Sequence, residues 1–399
     1  MGQFLKTEKV RIVSQAGQPV ELKGVNLGGW LMMEAYFMHS PNFPEQHFKK
    51  GFEQKLGKEQ LKLFERDFRE NFIRESDVAR IARLGFNCLR VPFNHRMIEE
   101  KPYTYEPGGA SYLDKVIRWS RKNKIWVILD LHGACGCQNH DWHSDSYGKA
   151  ELWEKKTFQD RTLALWEFLA DRYKNEEFVA GYDLLNEAVV KDAKKLNDFY
   201  KKLVKRIRLV DQNHILFIEG NLWATDLDCL DEFDDDNYAL SVHNYSPLNF
   251  TSNFVPHLSY PLKGKNGTWD KNITHRHLLK YKRISQKRQL PVFVGEFGVN
   301  ARAGLFGEDQ WLDDVLDCFK EFGFHWTYWT YKAVKNHAFP DGIYSYMKNP
   351  PWVNRAGPRS GWETFRDHWL DKRLEMVRSW DTKEFSENQE IMKVLRKYV

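Results

Sequence analysis

Short apolar runs rich in β-branched and aromatic residues recur along the chain, and polar loops and helical patterns separate them. Several runs are almost entirely apolar, as strands covered on both faces of a parallel sheet should be. Eight alternating units of this kind predict an α/β fold, a closed (β/α)8 TIM barrel, rather than an open sheet. The predicted strands are Leu22–Asn26, Cys88–Pro92, Trp126–Asp130, Ala180–Leu184, Ile215–Glu219, Ala239–Val242, Val292–Gly295 and Trp326–Trp329.

The helical patterns between these runs predict an outer ring of helices. They include Arg74–Leu84, Ala110–Lys122, Arg161–Tyr173, Lys194–Val210, Glu308–Phe322 and Ser386–Tyr398. No linker rich in Pro, Gly or Ser divides the chain, so we expect residues 1–399 to form a single catalytic barrel domain.

Two segments near the N-terminus depart from the alternation. Val10–Ser14 and Val20–Leu22 flank the turn-forming stretch Gln15–Pro19, which predicts a β-hairpin that plugs the bottom of the barrel. Met33–Lys62 is long for the loop after a first strand. Long loops at the carboxyl ends of the strands build the active site in this fold, so we expect this loop to border it.

Composition and charge exclude several classes of protein. The net charge of +5 is spread over 60 basic and 55 acidic residues without a basic run, so we expect no nucleic-acid partner. No apolar run is long enough to span a bilayer, and the N-terminus lacks the apolar core of a signal peptide. We therefore expect no membrane association and a cytoplasmic protein as encoded, or a secreted one if a leader has been removed.

Polar residues cluster where the predicted strands end, and in a barrel these ends all point to one face. Glu187 and Glu296 follow strands four and seven, so they should face each other across the barrel mouth. Retaining glycoside hydrolysis needs such a pair, about 5–5.5 Å apart, with one carboxylate attacking the anomeric carbon and the other donating a proton. The alternative is that both are ordinary carboxylates at strand ends.

The neighbouring polar residues suit this chemistry, because the two carboxyl groups must differ in ionisation. Arg90 and the hydroxyl of Tyr245 are expected to keep Glu296 ionised. His243 is placed to tune Glu187.

These motifs together resemble glycoside hydrolase family 5, over essentially the whole chain. The family pattern is an Arg after strand two, His after strand three, Asn-Glu after strand four, His-x-Tyr after strand six, Glu after strand seven and Trp after strand eight. The chain fills each position in order, with Arg90, His132, Asn186, Glu187, His243, Tyr245, Glu296 and Trp329.

The resemblance implies a role for each of these residues. It makes Glu187 the acid and then the base, and it makes Glu296 the nucleophile. Asn186 would bond the 2-hydroxyl of the sugar in the −1 subsite, and Trp329 would be the platform beneath that sugar. The remaining matched residues would orient Glu296 or complete the polar lining, and they are Arg90, Tyr245, His132 and His243. The family requires no metal and no organic cofactor.

Two further segments resemble the exo-β-1,3-glucanase branch of the family, the glucan 1,3-β-glucosidases. Gly24–Glu34 resembles its first-strand segment, in which the Glu after the Trp reaches the terminal glucose, so the resemblance makes Glu34 a sugar ligand. Leu131–Asn139 resembles its third-strand loop and makes Asn139 a second ligand. Here Cys135 and Cys137 replace a Pro and a small residue of that loop, and we interpret them as free thiols rather than half of a metal site.

The stretch that follows has no counterpart in the family pattern. His140 and His143, with neighbouring carboxylates, suit either a metal site or a polar wall of the sugar pocket, and we favour the wall. Trp142 is a candidate stacking surface in that wall. Trp223 follows the fifth strand and is a candidate platform beyond the −1 subsite.

The sequence thus predicts a retaining β-glycosidase that acts by double displacement. We expect exo action on β-glucans or β-glucosides, with β-1,3 linkages favoured because Glu34 and Asn139 suit recognition of a chain end. An endo-β-1,4-glucanase or a mannanase on the same frame is the nearest alternative. A glucosyl-lipid hydrolase and a barrel that only binds glycans are more distant ones. The partner is a carbohydrate substrate, and nothing indicates an obligatory protein partner.

Overall fold

The computed structural model describes residues 4–105, 107–264 and 267–399. Eight parallel strands close into a barrel in chain order, and the eighth strand pairs with the first. This confirms the predicted (β/α)8 fold, with each strand within a few residues of its expected place. The barrel strands are Lys23–Asn26, Cys88–Asn94, Trp126–Gly133, Val179–Asp183, Ile215–Glu219, Tyr238–His243, Val292–Phe297 and His325–Tyr328.

Helices surround the barrel, and their apolar faces lie against it. In Ala193–Arg208 the residues Leu196, Phe199, Leu203 and Ile207 are buried at helical spacing, and the carboxylate of Asp192 caps the first turn. The α-helices are Glu45–Leu56, Lys58–Phe72, Glu75–Arg83, His95–Ile98, Pro107–Asn123, Lys156–Tyr173, Ala193–Arg208, Leu248–Thr251, Lys271–Arg288, Glu308–Phe322, Trp362–Ser379 and Gln389–Leu395, and Asn221–Ala224 forms a single left-handed turn. Among the described residues, no helix combines the length and the apolar character that crossing a bilayer requires.

Shorter elements decorate the ends of the barrel. The 3-10 helices are Ala35–Met38, Trp142–Ser144, Glu151–Trp153 and Thr382–Glu384. The small sheets consist of Leu5–Glu8 with Arg11–Ser14, Glu99–Lys101 with Thr104–Tyr105, Leu262–Gly264 with Gly267–Trp269, and Lys332–Val334 with Tyr344–Tyr346 and Ser386–Glu387.

The N-terminal hairpin exists, but its partner strand differs from the prediction. Arg11–Ser14 pairs with the preceding Leu5–Glu8 and not with Val20–Leu22. After the turn the chain returns only far enough for a single bridge between Val13 and Pro19. Proline has no N–H with which to extend such a ladder.

The hairpin seals the amino-terminal end of the barrel, as the sequence predicted. Leu5 and Ile12 are buried in the cluster that fills the lower barrel. The barrel residues of that cluster are Leu22, Cys88, Ile128, Ala180, Ile215, Phe217, Ala239 and Phe293. Any ligand must therefore enter at the opposite end, where the strands finish.

Two elements differ in detail from the prediction. Met33–Lys62 is the long connection expected after the first strand, but it is partly helical, because it contains the helix Glu45–Leu56 and the start of the next one. Its aromatic residues are spaced for a helix, and Phe48 and Phe52 pack against the rings of the late helix Trp362–Ser379. The C-terminal helix is also shorter than predicted, since a short strand occupies its first two residues.

Candidate active site

Arg90 is the centre of the polar cluster in the upper barrel. It extends from the second strand into the interior and is completely buried. Its donors reach polar groups from several other strands, so the five N–H groups of the guanidinium can all be paired. The acceptors are Asp183 at 2.8 Å, Glu296 at 2.7 Å, Asn186 at 2.8 Å, Glu219 at 3.0 Å and Asn26 at 3.2 Å, with Asp130 also 3.2 Å away.

Burial disfavours the charge on Arg90, but the surrounding carboxylates outweigh that cost. The charges of Asp130, Asp183 and Glu296 raise the pKa of the guanidinium above its already high ordinary value. Arg90 is therefore a fixed cation beneath the cavity.

Glu296 lies near the end of the seventh strand, with each of its oxygens occupied. Arg90 Nη1 donates to Oε1 at 2.7 Å, and the hydroxyl of Tyr245 donates to Oε2 at 2.7 Å. Burial and the charge of Glu296 raise the pKa of Tyr245, so its hydroxyl keeps its proton and remains a donor. A carboxylate oriented in this way points a lone pair into the cavity from a defined position.

Glu187 follows the fourth strand on a sharply turned backbone. Its φ of 49° lies in the left-handed region, which a residue with a side chain seldom adopts. The turn is held because the amide of Glu187 donates to Glu219 Oε2 at 2.6 Å. Strain of this kind often accompanies functional positions, and here it directs a carboxylate into the cavity.

Two histidines flank the carboxyl group of Glu187. His243 Nδ1 lies 2.8 Å from Oε1, and His143 Nδ1 lies 3.4 Å from Oε2. Burial alone would raise the pKa of Glu187, but the hydrogen bond with His243 and the charge of His143 outweigh it and lower that pKa. In the free protein Glu187 is therefore ionised and the protons lie on the imidazoles, which differs from the expected protonated carboxyl.

His243 lies between three carboxylates. Its Nε2 is 3.2 Å from Glu219, and its Nδ1 is 3.6 Å from Glu296 as well as near Glu187. Burial opposes a charge on this ring, but the charges of Glu219 and Glu296 raise its pKa well above the ordinary value. One ligand atom each of Glu187, His243 and Glu296 lies within 4.8 Å of the others, so the two carboxyl groups are close neighbours.

A second polar group forms the inner wall of the cavity. His132 stacks on the ring of Trp329 with centroids 5.4 Å apart, and its Nδ1 lies 2.8 Å from Asp130. Burial opposes the charge on His132, but Asp130 and Glu34 raise its pKa to about 10. Burial in turn raises the pKa of Glu34.

Glu34 carries a polar atom that the protein leaves unused. Its side chain is almost fully buried, and Oε1 has no hydrogen-bond partner among the residues that the structure describes. The nearest candidate, His132 Nε2, lies 3.4 Å away in poor alignment. A buried carboxylate oxygen without a donor is costly, so this position suits a ligand hydroxyl.

Most of the residues singled out from the sequence line one cavity of about 740 Å³, which lies within the usual range for ligand sites. They are Glu34, His132, Trp142, Glu187, Trp223, His243, Tyr245, Glu296 and Trp329. Arg90 and Asn186 lie beneath its floor, where Asn186 accepts from Arg90.

Asn139 lies behind the cavity wall rather than in it. Its amide nitrogen donates to the backbone carbonyl of Glu187 at 2.9 Å, and its oxygen accepts from the amide of Asp141. Both polar atoms of this buried side chain are thus engaged with the protein. In this structure Asn139 joins the loop after the third strand to the turn that carries Glu187.

Sequence reasoning missed Glu219 and Tyr36, which the structure brings into the site, while Asp141 and His143 line the cavity in the stretch interpreted as its polar wall. Glu219 is the last residue of the fifth strand, so the strand-end rule used for its neighbours would have found it. Tyr36 accepts from the indole of Trp329, and Asp141 lies 3.6 Å from His143. For Tyr36 the chain offers no periodic signal, because the 3-10 helix Ala35–Met38 is only one turn long.

The metal interpretation of the stretch after Asn139 gains no support from the geometry. His140 and His143 both approach a single carboxylate, Asp141, at 3.8 and 3.6 Å. A second buried group of suitable residues, His95, Glu99 and Cys135, has Arg161 hydrogen-bonded to its carboxylate at 2.8 Å, and that cation would repel a metal ion. The thiols of Cys135 and Cys137 are buried and unpaired with one another.

Comparison with known proteins agrees with this geometry. The family model described as Cellulase (glycosyl hydrolase family 5) matches residues 49–335. A beta-xylosidase of Phanerodontia chrysosporium is 34% identical over 346 residues, 83% of this chain and 71% of that protein. Endoglucanase C of Acetivibrio thermocellus is 28% identical over 78% of this chain and 91% of its own length.

Other similar proteins extend the same picture. Glucan 1,3-beta-glucosidase 2 of Wickerhamomyces anomalus is 30% identical over 56% of each chain. Among solved structures, endoglucanase Cel5A of Thermotoga maritima superposes with a TM-score of 0.64 at 20% identity, covering 94% of this chain and 96% of that one, which shows the shared fold. The chain therefore belongs to glycoside hydrolase family 5, and it is a glycoside hydrolase.

Proposed function

We propose that this protein is a retaining β-glycosidase that releases one terminal sugar at a time. The observation that carries the proposal is the spacing of the two carboxylates, with an oxygen of Glu187 within 4.8 Å of an oxygen of Glu296. Retaining enzymes need about 5–5.5 Å between the carboxyl groups, whereas inverting enzymes need about 6.5–9.5 Å to admit a water molecule.

In the first step Glu296 attacks the anomeric carbon as the bond to the glycosidic oxygen breaks. Arg90 and Tyr245 hold its oxygens, so the attacking lone pair is positioned before the substrate arrives. Glu187 passes a proton to the departing oxygen, and the leaving group departs as a neutral alcohol. In the second step Glu187 takes a proton from water, the resulting hydroxide attacks the same carbon, and Glu296 is released.

The proton that Glu187 delivers is supplied by the adjoining imidazoles. His243 and His143 have raised pKa values, because the neighbouring carboxylates outweigh the burial of each ring. A proton that moves from either ring to Glu187 leaves the total charge of the group unchanged. The histidines thus keep a proton next to a carboxyl group that is ionised in the free protein.

Exo action is supported by the inner end of the cavity. The unpartnered oxygen of Glu34 and the charged ring of His132 suit the hydroxyls of a terminal sugar resting on Trp329. We propose glucose as that sugar and β-1,3 linkages or simple β-glucosides as the substrates, in line with the resemblance to glucan 1,3-β-glucosidases. The similarity to the protein named Endoglucanase C supports an endoglucanase as the second candidate.

The test is a panel of aryl β-glycosides and β-linked oligosaccharides, including glucose, xylose and mannose as the terminal sugar. We expect hydrolysis that releases only monosaccharide, with the β-anomer as the first product in a proton NMR time course. A ladder of oligosaccharides would overturn the exo proposal. A first product with the α-configuration would overturn the retaining mechanism.

A further inference from the structure

The mouth of the catalytic cavity differs in chemistry from its inner end. The inner residues Glu34, His132 and Glu296 are buried and polar. The mouth carries large apolar side chains that are open to solvent: Leu222 is 44% exposed, Trp223 38%, Leu248 51% and Phe254 45%. Large apolar residues grouped at the rim of a functional cavity mark a binding surface.

The backbone that presents two of these residues is strained. Leu222, Trp223 and Ala224 have consecutive φ values of 52°, 56° and 56°, in the left-handed region. A residue with a side chain seldom adopts this conformation, because its Cβ then approaches the following carbonyl oxygen. A buried side chain would offset that strain by packing, but Leu222 and Trp223 are exposed.

The strained segment is nevertheless held firmly in place. Asn221 exchanges side-chain hydrogen bonds with the backbone of Val190, at 3.1 and 2.8 Å. The indole of Trp223 donates to Asp141 at 2.7 Å, and the backbone amide of Trp223 donates to Ala188 at 3.3 Å. The protein therefore maintains two apolar side chains at the mouth in fixed positions.

We propose that this mouth binds the leaving group of the substrate, and that among the substrates of the proposed function it prefers simple β-glucosides with an apolar alkyl or aryl aglycone over those whose leaving group is a second sugar. The inference rests on the proposed function, which places the terminal sugar at the closed inner end and so directs the leaving group outward. Trp223 and Phe254 present rings that can pack against an aryl group or a sugar, but Leu222 and Leu248 have no flat ring on which a sugar can stack. They offer instead the aliphatic surface that a hydrocarbon chain buries.

The polar groups at the mouth are too few for a second sugar. The hydroxyl of Thr225 already donates to the carbonyl of Leu222, and Asp141 already accepts from Trp223. Ser246 and Ser252 also line the cavity, but Ser252 is buried. A bound sugar would lose water from several hydroxyls that these groups cannot all replace.

The experiment measures kcat/KM for alkyl β-glycosides from methyl to hexyl, with the sugar preferred in the aryl-glycoside panel. Leaving-group acidity barely changes along this series, so differences report binding at the mouth. We expect kcat/KM to rise about two- to fourfold per added methylene until the mouth is filled. The corresponding disaccharides should be poorer substrates than the hexyl glycoside.

Two variants test the assignment to the mouth. Leu222→Asn and Phe254→Ser should flatten the rise, so that the loss relative to wild type grows with chain length. Asparagine tolerates the left-handed backbone at position 222 better than leucine does, which favours correct folding. Leu370→Asn, at a 64% exposed leucine on the outer helix Trp362–Ser379, is the matched control and should keep the wild-type slope.

A flat series in an enzyme that hydrolyses methyl and aryl glycosides would overturn the apolar aglycone and leave the proposed function intact. An unchanged slope in both mouth variants would also overturn it. Failure to hydrolyse any glycoside would instead overturn the proposed function itself.

Discussion

Glu296 and Glu187 face each other across the same cavity, but groups of different kinds hold them. Glu296 is bound by a guanidinium and a phenol hydroxyl, neither of which titrates near neutral pH. Glu187 is flanked by two imidazoles, which carry protons because the neighbouring carboxylates raise the pKa of each ring. The difference shows how one cavity can keep a constant charge on one side and a mobile proton on the other.

The largest loss of kcat should follow the removal of Glu296, the carboxylate held by Arg90 and Tyr245. Glu296→Ala leaves no group to attack the anomeric carbon, so we expect kcat to fall on the order of 10⁴- to 10⁶-fold on every substrate. Thermal unfolding should show a folded protein, because the change also removes a charge from a crowded acidic cluster. Activity near the wild-type level would contradict the assignment of Glu296.

Removal of Glu187, the carboxylate flanked by the two histidines, should lower kcat/KM by a factor that depends on the leaving group. For Glu187→Ala we expect kcat/KM to fall roughly 10²- to 10⁴-fold on alkyl glycosides, which need a proton on the departing oxygen. Dinitrophenyl glycosides leave without that help and should be affected far less. An equal loss on both kinds of substrate would show that Glu187 does not protonate the leaving group.

A smaller effect is expected from Tyr245→Phe, which deletes one donor to Glu296. A hydrogen bond to a charged group contributes about 1.5–3 kcal/mol, so kcat should fall roughly 10- to 100-fold. Because the tyrosine acts on the nucleophile, the loss should be similar for alkyl and dinitrophenyl glycosides. A loss confined to alkyl glycosides, like that expected for Glu187→Ala, would show that Tyr245 acts on the leaving group and not on Glu296.

The smallest effect should appear only in the pH profile. Burial lowers the pKa of His143, but the hydrogen bond and charge of Asp141 and the charges of Glu187 and Glu34 raise it overall. Asp141→Asn removes one of these negative charges, so the pKa of His143 falls and its proton is lost at lower pH. The basic limb of kcat/KM should therefore move to lower pH.

The matched control for this change is Trp223→Phe. It removes the indole N–H that Asp141 accepts but leaves the charge of Asp141 in place. The basic limb should then stay where it is in the wild type. A shift of the same size in both variants would mean that the contact with Trp223, and not the charge, controls the profile.

The pattern of apolar runs was enough to predict the barrel and the cluster at the strand ends. The carboxyl ends of all eight strands lie at one face of the barrel. Arg90 and Glu296 could therefore be predicted to lie close together without knowledge of any individual contact. The same rule extends to Glu219, which sequence reasoning overlooked. The pattern of apolar residues is enough to locate these side chains, because the barrel strands are regular and all end at the same face.

The loops behave differently, since their conformation depends on individual contacts. Asn139 lies in a strand-end loop that resembles a sugar-binding one, but its side-chain amide donates to the backbone carbonyl of Glu187. The approach of His143 to Glu187 depends on how the short helix Trp142–Ser144 turns. Likewise, the left-handed backbone at Leu222 and Trp223 contradicts the local preference of both residues, so no sequence rule would predict it.

The buried guanidinium of Arg90 has a consequence for anyone who redesigns this enzyme. It joins groups from the first, third, fourth, fifth and seventh strands, so a substitution there would loosen the scaffold and the chemistry together. The side chains at the mouth touch none of these groups and can be exchanged one by one. New substrate preferences should therefore be sought by mutating Leu222, Leu248 and Phe254, while Arg90 and the residues it binds are kept.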